Sequence, residues 1–317
     1  MPAFSLGLNP QRSAATPAVS TSLRPWPEPK STISGRALYN SNYHGGHVAY
    51  GDRLFLLKKE NSYLFQFAPL SRIPGLVHAV AERSGGASRS PFNGSNVSLG
   101  VGDAPEAVAA NRERLRLMTG GIHIYTRQNH GSTIRAIRQD VLSVKSPIQT
   151  APHEADALIT DVPGVRLLIQ TADCQAVMLV DPEVRVVANV HCGWRGNVAD
   201  IIGRTVACMV AEFDCRPERM VAAIGPSLGP CCAEFVNYEQ EIPRSLWPFR
   251  VGRHHFDLWA ISRHQLHRTG IARENIHAAG ICTRCNPHLF FSYRKARQTG
   301  RFAALIGWDE ICEGQAS

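Results

Sequence analysis

The chain has 317 residues, 44% of them hydrophobic, enough for one large core or two modest ones and typical of an ordinary globular protein. A formal charge of +8 and a pI near 9.2 come from scattered Lys and Arg, with no basic run, RNA-binding aromatic pattern or zinc-finger spacing. Anionic small molecules are therefore the expected partners, and nucleic acid is not. The longest apolar runs, such as 165–169 and 176–180, fall far short of the roughly 20 residues a membrane span needs, so no membrane partner is expected.

Residues 1–50 are rich in Ser, Pro, Ala and Asn and read as a disordered extension, whereas 51–317 read as a single folded domain. Strand-length apolar runs at 54–57, 62–67 and 77–80 alternate with the turn signals Ile73-Pro74-Gly75 and Ser84-Gly85-Gly86. Asp103 is placed to cap a helix that buries Val108, Leu115 and Leu117, exposes Arg112, Glu113 and Arg114, and stops at Thr119-Gly120-Gly121. A strand at 122–125 then delivers His130 to a loop. The runs 165–170, 176–180 and 184–190 are almost continuously apolar, as in strands buried on both faces, and Asp181-Pro182 turns between the last two.

From Asn197, read as an N-cap, Val198, Ile201, Ile202, Thr205, Val206, Met209, Val210 and Phe213 recur at helical spacing. A strand at 220–224 runs into the irregular loop Gly225-Pro226-Ser227-Leu228-Gly229-Pro230. A helix at 258–269 and strands at 276–281 and 302–306 complete an α/β (α+β) pattern without internal repeat.

Three short stretches carry the chemistry: Gln128-Asn129-His130-Gly131, Thr171-Ala172-Asp173-Cys174 and His191-Cys192-Gly193-Trp194-Arg195-Gly196. Each ends a predicted strand, and together they can offer two imidazoles and a thiolate, His130, Cys174 and His191, to one metal ion. Three protein ligands leave one position open, the layout in which Zn2+ acidifies a water to a pKa of about 7. The same atoms allow a rival chemistry, with Cys174 as nucleophile and His191 as its base, which leaves His130 without a role. Copper oxidase chemistry is disfavoured because multicopper sites lean on His-x-His pairs and none occurs. Arg195, just ahead of the helix expected at Asn197, suggests an anion pocket, or else Trp194 and Arg195 merely stack on the helix end. Asp173 is the candidate proton-transfer group, and Asn96 and Gln128 are candidate substrate contacts.

All nine cysteines lie between Cys174 and Cys312, an odd number that argues against a paired disulfide framework and for a reducing, cytoplasmic setting. Cys231-Cys232 and Cys282-Thr283-Arg284-Cys285 contain a possible second zinc site. Because a CxxC usually pairs with another CxxC, burial beside the turns is the preferred reading, with the vicinal pair lining the pocket.

The ordered motifs Val101-Gly102-Asp103, Gln128 to Gly131, Ala155-Asp156-Ala157-Leu158, the TADC at 171–174, the HCGWRG at 191–196, Ile224-Gly225-Pro226 and Cys282 to Pro287 resemble the multicopper polyphenol oxidase or laccase-domain family, now generally described as purine nucleoside phosphorylases. The resemblance runs over about 77–307. It implies a layered sandwich of mixed β-sheets flanked by helices, zinc on His130, Cys174 and His191, and phosphorolysis of adenosine, inosine, guanosine and methylthioadenosine with adenosine deamination as a companion activity. Purine nucleosides and phosphate are the implied partners, with monomer and homodimer both open. Some bacterial members of the family are described instead as editing peptidoglycan precursors. Departures from the family pattern include Gln175-Ala176 after the TADC, Arg284 in place of an aromatic residue, and Cys192 in place of a small alanine, which brings a second thiol near the metal.

Overall fold

In the computed structural model, which describes residues 47–50, 54–59, 62–142 and 146–310, the apolar runs form two mixed sheets that share one core. Residues 1–46, most of the expected extension, lie outside the described residues; His47–Tyr50 is a strand. The larger sheet has the order His47–Tyr50, Leu54–Lys59, Ser62–Phe67, Leu76–Ala81, Phe302–Trp308, Val165–Thr171, Ile122–Arg127, Ile148–Glu154. All pairs are antiparallel except those of Ile122–Arg127, which runs parallel to both neighbours. The smaller sheet runs Ile276–Ala278, Val221–Ile224, Gln175–Asp181, Val186–Cys192, Ala157–Thr160, Ile134–Ala136, with a parallel pair at each edge.

Side chains from facing strands fill the space between the sheets: Phe65, Val80, Leu167, Ile169, Ala304 and Ile306 from the large one, Leu158, Met178, Val180, Val187 and Ala223 from the small one. Asn189 crosses that layer and donates from its Nδ2 to the carbonyls of Leu167 and Ala304 at 3.0 and 2.9 Å. The helix Pro105–Thr119 covers the outer face of the large sheet, where Leu115 packs with Leu64, Leu168 and Leu305. The helices Ile201–Phe213 and Leu258–Arg268 lie on the small sheet. This helix–sheet–sheet–helix layering buries the central strands on both faces, as their apolar runs predict.

Several local expectations change. Asp103 does not cap its helix: Ala104 is the N-cap, and the Asp103 carboxylate accepts from the Ala104 N–H and from Asn96. Leu117 is 70% exposed, while Arg112, expected on the solvent face, is buried with its guanidinium 3.9 Å from the Tyr125 ring centre. Its Nε donates to the Val97 carbonyl, so a polar partner and an aromatic face replace water. Asn197 is not an N-cap but lies inside a short helix, Trp194–Val198, where it bonds Ser262 and Gln265; Asp200 caps the following helix through Gly203. The strand expected at 276–281 is only Ile276–Ala278. The unpredicted strands Ile134–Ala136, Ile148–Glu154 and Ala157–Thr160 are short or interrupted by Pro152, which a sheet tolerates at the edge where that strand lies, and Arg250–Val251 pairs with His255–Phe256 in a further small hairpin.

Gly307 marks the closest approach within the large sheet. A Cβ there would stand 1.9 Å from the Val165 carbonyl oxygen, and that backbone is itself held by the ladder. Gly307→Ala is expected to destabilise the chain by about 3 kcal/mol, the upper end for overpacking, with a matching fall in the urea midpoint.

Candidate metal centre and its cavity

The hairpin of the small sheet sets two of the three expected ligands side by side. Gln175 pairs with Cys192 and Ala176 with His191, so Cys174, one residue ahead of its strand, emerges beside His191. His130 arrives on the loop joining Ile122–Arg127 of the large sheet to Ile134–Ala136 of the small one. The donor atoms of His130, Cys174 and His191 all lie within 4.8 Å of one another, and the two imidazole rings meet edge to face with centres 4.8 Å apart. Gly193 leaves the room: a Cβ there would sit 2.9 Å from Cys174 Sγ and 3.4 Å from the His130 ring.

Asp156 builds this centre from behind. It is fully buried, and its Oδ1 lies 2.7 Å from His191 Nδ1, which leaves Nε2 of that ring for a metal. The same carboxylate accepts the backbone N–H groups of His130 at 3.0 Å and Gly131 at 2.8 Å, holding His130 at a positive φ of 62°. Burial alone would raise the Asp156 pKa, but the His191 hydrogen bond and charge, together with the N–H groups of Gly131 and Asn129, bring it below the usual carboxylate value. Burial also opposes ionisation of Cys174 and His191. The His191 charge and hydrogen bonds from both imidazoles nevertheless lower the thiol to about 6, and the thiolate with Asp156 raises His191 to about 9. A soft thiolate, two imidazoles and an orienting carboxylate suit a transition-metal ion such as zinc.

The other expected site residues fall into two groups. Gln128, Asp173 and Arg195 line the cavity that opens over the three ligands. The Gln128 amide, however, bonds both the N–H and the C=O of Gln170 at 2.8 Å, so it anchors the His130 loop to the neighbouring strand. Asp173, at φ 88°, accepts from Thr283 Oγ1 at 2.7 Å and from the Arg294 N–H at 2.6 Å. Arg195 stacks on Trp194 at 4.3 Å, inside a helix that begins at Trp194 and has only five residues. Asn96 stands apart: it is fully buried behind the wall, and its amide bonds Ser98, Asp103 and the Arg301 N–H.

Cys192 also differs from expectation. Successive strand residues face opposite ways, so it turns from the metal ligands and lies against Gly196, and burial pushes its thiol pKa up. Neither Cys231 nor Cys232 lines the cavity.

The cavity has a volume of about 1210 Å³, ample for a drug-sized ligand. Its cations were not foreseen: besides Arg195, the wall holds Arg127 and, from one segment near the C-terminal strand, Arg294, Lys295, Arg297 and Arg301. Asp156, read in sequence only as part of the Ala155-Asp156-Ala157-Leu158 motif, was given no role there, although an acid set between two apolar residues was a visible signal.

Residues 77–309 match the family described as multi-copper polyphenol oxidoreductase laccase. A "Purine nucleoside phosphorylase" from Xylella fastidiosa is 37% identical over 246 residues, 73% of this chain and 92% of that protein. One of the same name from Deinococcus radiodurans is 36% identical over 254 residues, 75% and 92% of the two chains. Among solved structures, YlmD from Geobacillus stearothermophilus superposes with a TM-score of 0.69 at 30% identity, covering 80% of this chain and 99% of its own. The hypothetical protein YfiH of Bacillus licheniformis gives 0.71 at 25%, covering 80% and 98%.

In metal-free protein the Cys174 thiolate forms as pH rises through about 6, against about 8.5 for an ordinary thiol. Iodoacetamide labelling of Cys174, followed by peptide mass spectrometry, is therefore expected to climb between about pH 5 and 7 and then level off. His191→Gln should move that midpoint upward, and bound metal should block the labelling until a chelator is added. A midpoint near that of a free thiol would contradict the charge coupling.

Proposed function

We propose that this chain, which belongs to the multi-copper polyphenol oxidoreductase laccase family, is a zinc-dependent purine nucleoside phosphorylase acting on adenosine, inosine, guanosine and methylthioadenosine, with adenosine deamination as a side activity. One observation carries the reading: a three-ligand metal set opens onto a cavity whose wall holds several arginines. The names of those relatives point the same way.

His130, Cys174 and His191 would hold the ion, and when bound it supplies Lewis acidity, the property that lets such sites acidify water for a deamination. The rest falls to the chain. Arg195, backed by the Trp194 ring, and the cations at 294–301 supply counter-charge for phosphate. In phosphorolysis a phosphate oxygen bonds the ribose anomeric carbon as the bond to the purine nitrogen breaks. The base leaves with that electron pair and takes up a proton, and ribose 1-phosphate is the second product. Asp173 faces the same cavity and is the residue proposed to manage the proton, its carboxylate fixed by Thr283 and the Arg294 N–H.

A second reading, a hydrolase editing an amide of a cell-wall precursor, has a specific observation in its favour. Cys174, His191 and Asp156 follow one another as nucleophile, base and orienting acid, with the thiol pKa already lowered. A product assay separates the two. With adenosine, adenine and ribose 1-phosphate are expected only when phosphate is present, while inosine reports deamination with or without it. Release of an amino acid from a nucleotide-linked muropeptide, with no ribose 1-phosphate, would replace the first reading by the second. His130→Ala should abolish both metal retention and turnover, so an active, zinc-free variant sinks the proposal. Arg195→Ala is expected to raise the KM for phosphate by about tenfold, the scale of one charge-assisted hydrogen bond.

A further inference from the structure

Four cysteines outside the cavity converge from two loops. The strands Val221–Ile224 and Ile276–Ala278 are parallel neighbours, so the segments that follow them leave the same end of the small sheet. They stay paired beyond it: Ala279 N–H donates to the Ile224 carbonyl, Ser227 N–H to Ile281, and Thr283 N–H to Ser227. Each segment then closes a tight turn. Cys232 N–H returns to the Gly229 carbonyl at 2.9 Å, and Asn286 N–H to the Cys282 carbonyl at 3.1 Å. Gly229 permits the approach, since a Cβ there would lie 3.1 Å from that of Cys282.

The result is a cluster in which the sulfurs of Cys231, Cys232, Cys282 and Cys285 all lie within 4.8 Å of one another. Cys285 Sγ is 3.7 Å from Cys231 Sγ and 3.5 Å from Cys232 Sγ. A disulfide needs about 2.05 Å. The edge of a tetrahedron with zinc–sulfur bonds of about 2.3 Å is about 3.8 Å. These separations therefore match four thiolates around one ion and not a covalent pair. Arg284 supplies charge where a tetrathiolate centre needs it, with Nη1 3.4 Å from Cys232 Sγ. Cys232 and Cys282 are buried, whereas Cys231 and Cys285 reach the surface, which gives an ion a way in from solvent.

We propose that Cys231, Cys232, Cys282 and Cys285 bind a second zinc ion in a closed, four-thiolate structural site. Such an ion has no vacant position and acts by fastening the two loops to each other. Its reach extends to the cavity floor. Thr283, between two of the ligands, donates to Asp173 Oδ1, and Leu228 N–H, three residues before Cys231, donates to the Asp173 carbonyl at 2.8 Å. The cluster thus braces the residue that precedes Cys174. The vicinal pair beside a CxxC, an unusual partnership in sequence, works here because the parallel strands bring both turns to one point.

Elemental analysis of the full chain, purified with reductant from zinc-supplemented culture, tests the site independently of any catalytic activity. About two zinc ions per chain are expected, with about one retained by His130→Ala and by the double variant Cys231→Ser, Cys285→Ser. X-ray absorption on the His130→Ala protein should show sulfur-only coordination at ~2.3 Å. That readout stands even if the His130 centre binds no zinc or the protein has another activity. Should the double variant fail to fold, the native chain still decides: Cys231, Cys232, Cys282 and Cys285 should resist iodoacetamide until a chelator is added. Rapid labelling of these four in folded, zinc-loaded protein, or a disulfide among them under the same reducing conditions, would overturn the proposal.

Discussion

A single buried carboxylate, Asp156, holds together what the two sheets bring separately. It can remain ionised out of water only because an imidazole and backbone N–H groups surround it. That requirement runs in both directions. The His130 loop is kept in a left-handed turn because Asp156 needs its N–H groups, and His191 presents Nε2 because Asp156 engages Nδ1. The backbone repeats the linkage, since Asp156 N–H donates to the Thr133 carbonyl and its own carbonyl accepts from His191 N–H. Geometry of the ligand set is thereby fixed before any ion is bound, the condition under which binding energy is not diverted into ordering loops.

The layered fold explains why these groups can meet at all. Cys174 and His191 come from one hairpin of the small sheet, but His130 is carried by a chain segment crossing from the large sheet to the small one. The face-to-face packing of the sheets fixes where that crossing ends. Asn189, two residues before His191, donates to carbonyls on two strands of the opposite sheet, so the sheets are held in register close to the site. The cationic wall has a similar origin, because the segment at 293–301 leads directly into Phe302–Trp308 at the centre of the large sheet.

Much of this was legible in the amino-acid sequence, for definite physical reasons. Long apolar runs such as Val165–Thr171 and Gln175–Asp181 declare strands buried on both sides, and the helical recurrence from Ile201 to Phe213 declares a helix on a sheet. The three ligand candidates stood at strand ends, where side chains are held with little slack. Polar residues inside the protein were harder to read. In sequence Arg112 looks solvent-facing, Asn96 substrate-facing and Asn197 helix-capping, yet each is buried because groups distant in the chain satisfy it: the Val97 carbonyl, the Arg301 N–H and Gln265. Those partners are remote in the chain, so no local pattern announces them. The same holds for the arginines at 294–301, whose convergence on the cavity depends on sheet order.

The division of labour among the thiols follows from the same geometry. His191 and Cys192 are adjacent in one strand, so only one can face the cavity; the imidazole does, and the thiol is sealed beneath the short helix that follows. Cys174, placed one residue before its strand, escapes that alternation and meets both imidazoles. Its lowered pKa makes it equally suited to bind a metal or to attack a carbonyl, but one sulfur cannot serve both ends at once. His130 breaks the tie. Its ring lies against His191, and its loop is held there by a carboxylate that a nucleophile–base pair needs only for His191. Under the proposed metal reading a second imidazole held at that cost in backbone conformation serves as the third ligand, whereas the Cys–His hydrolase reading gives it no role.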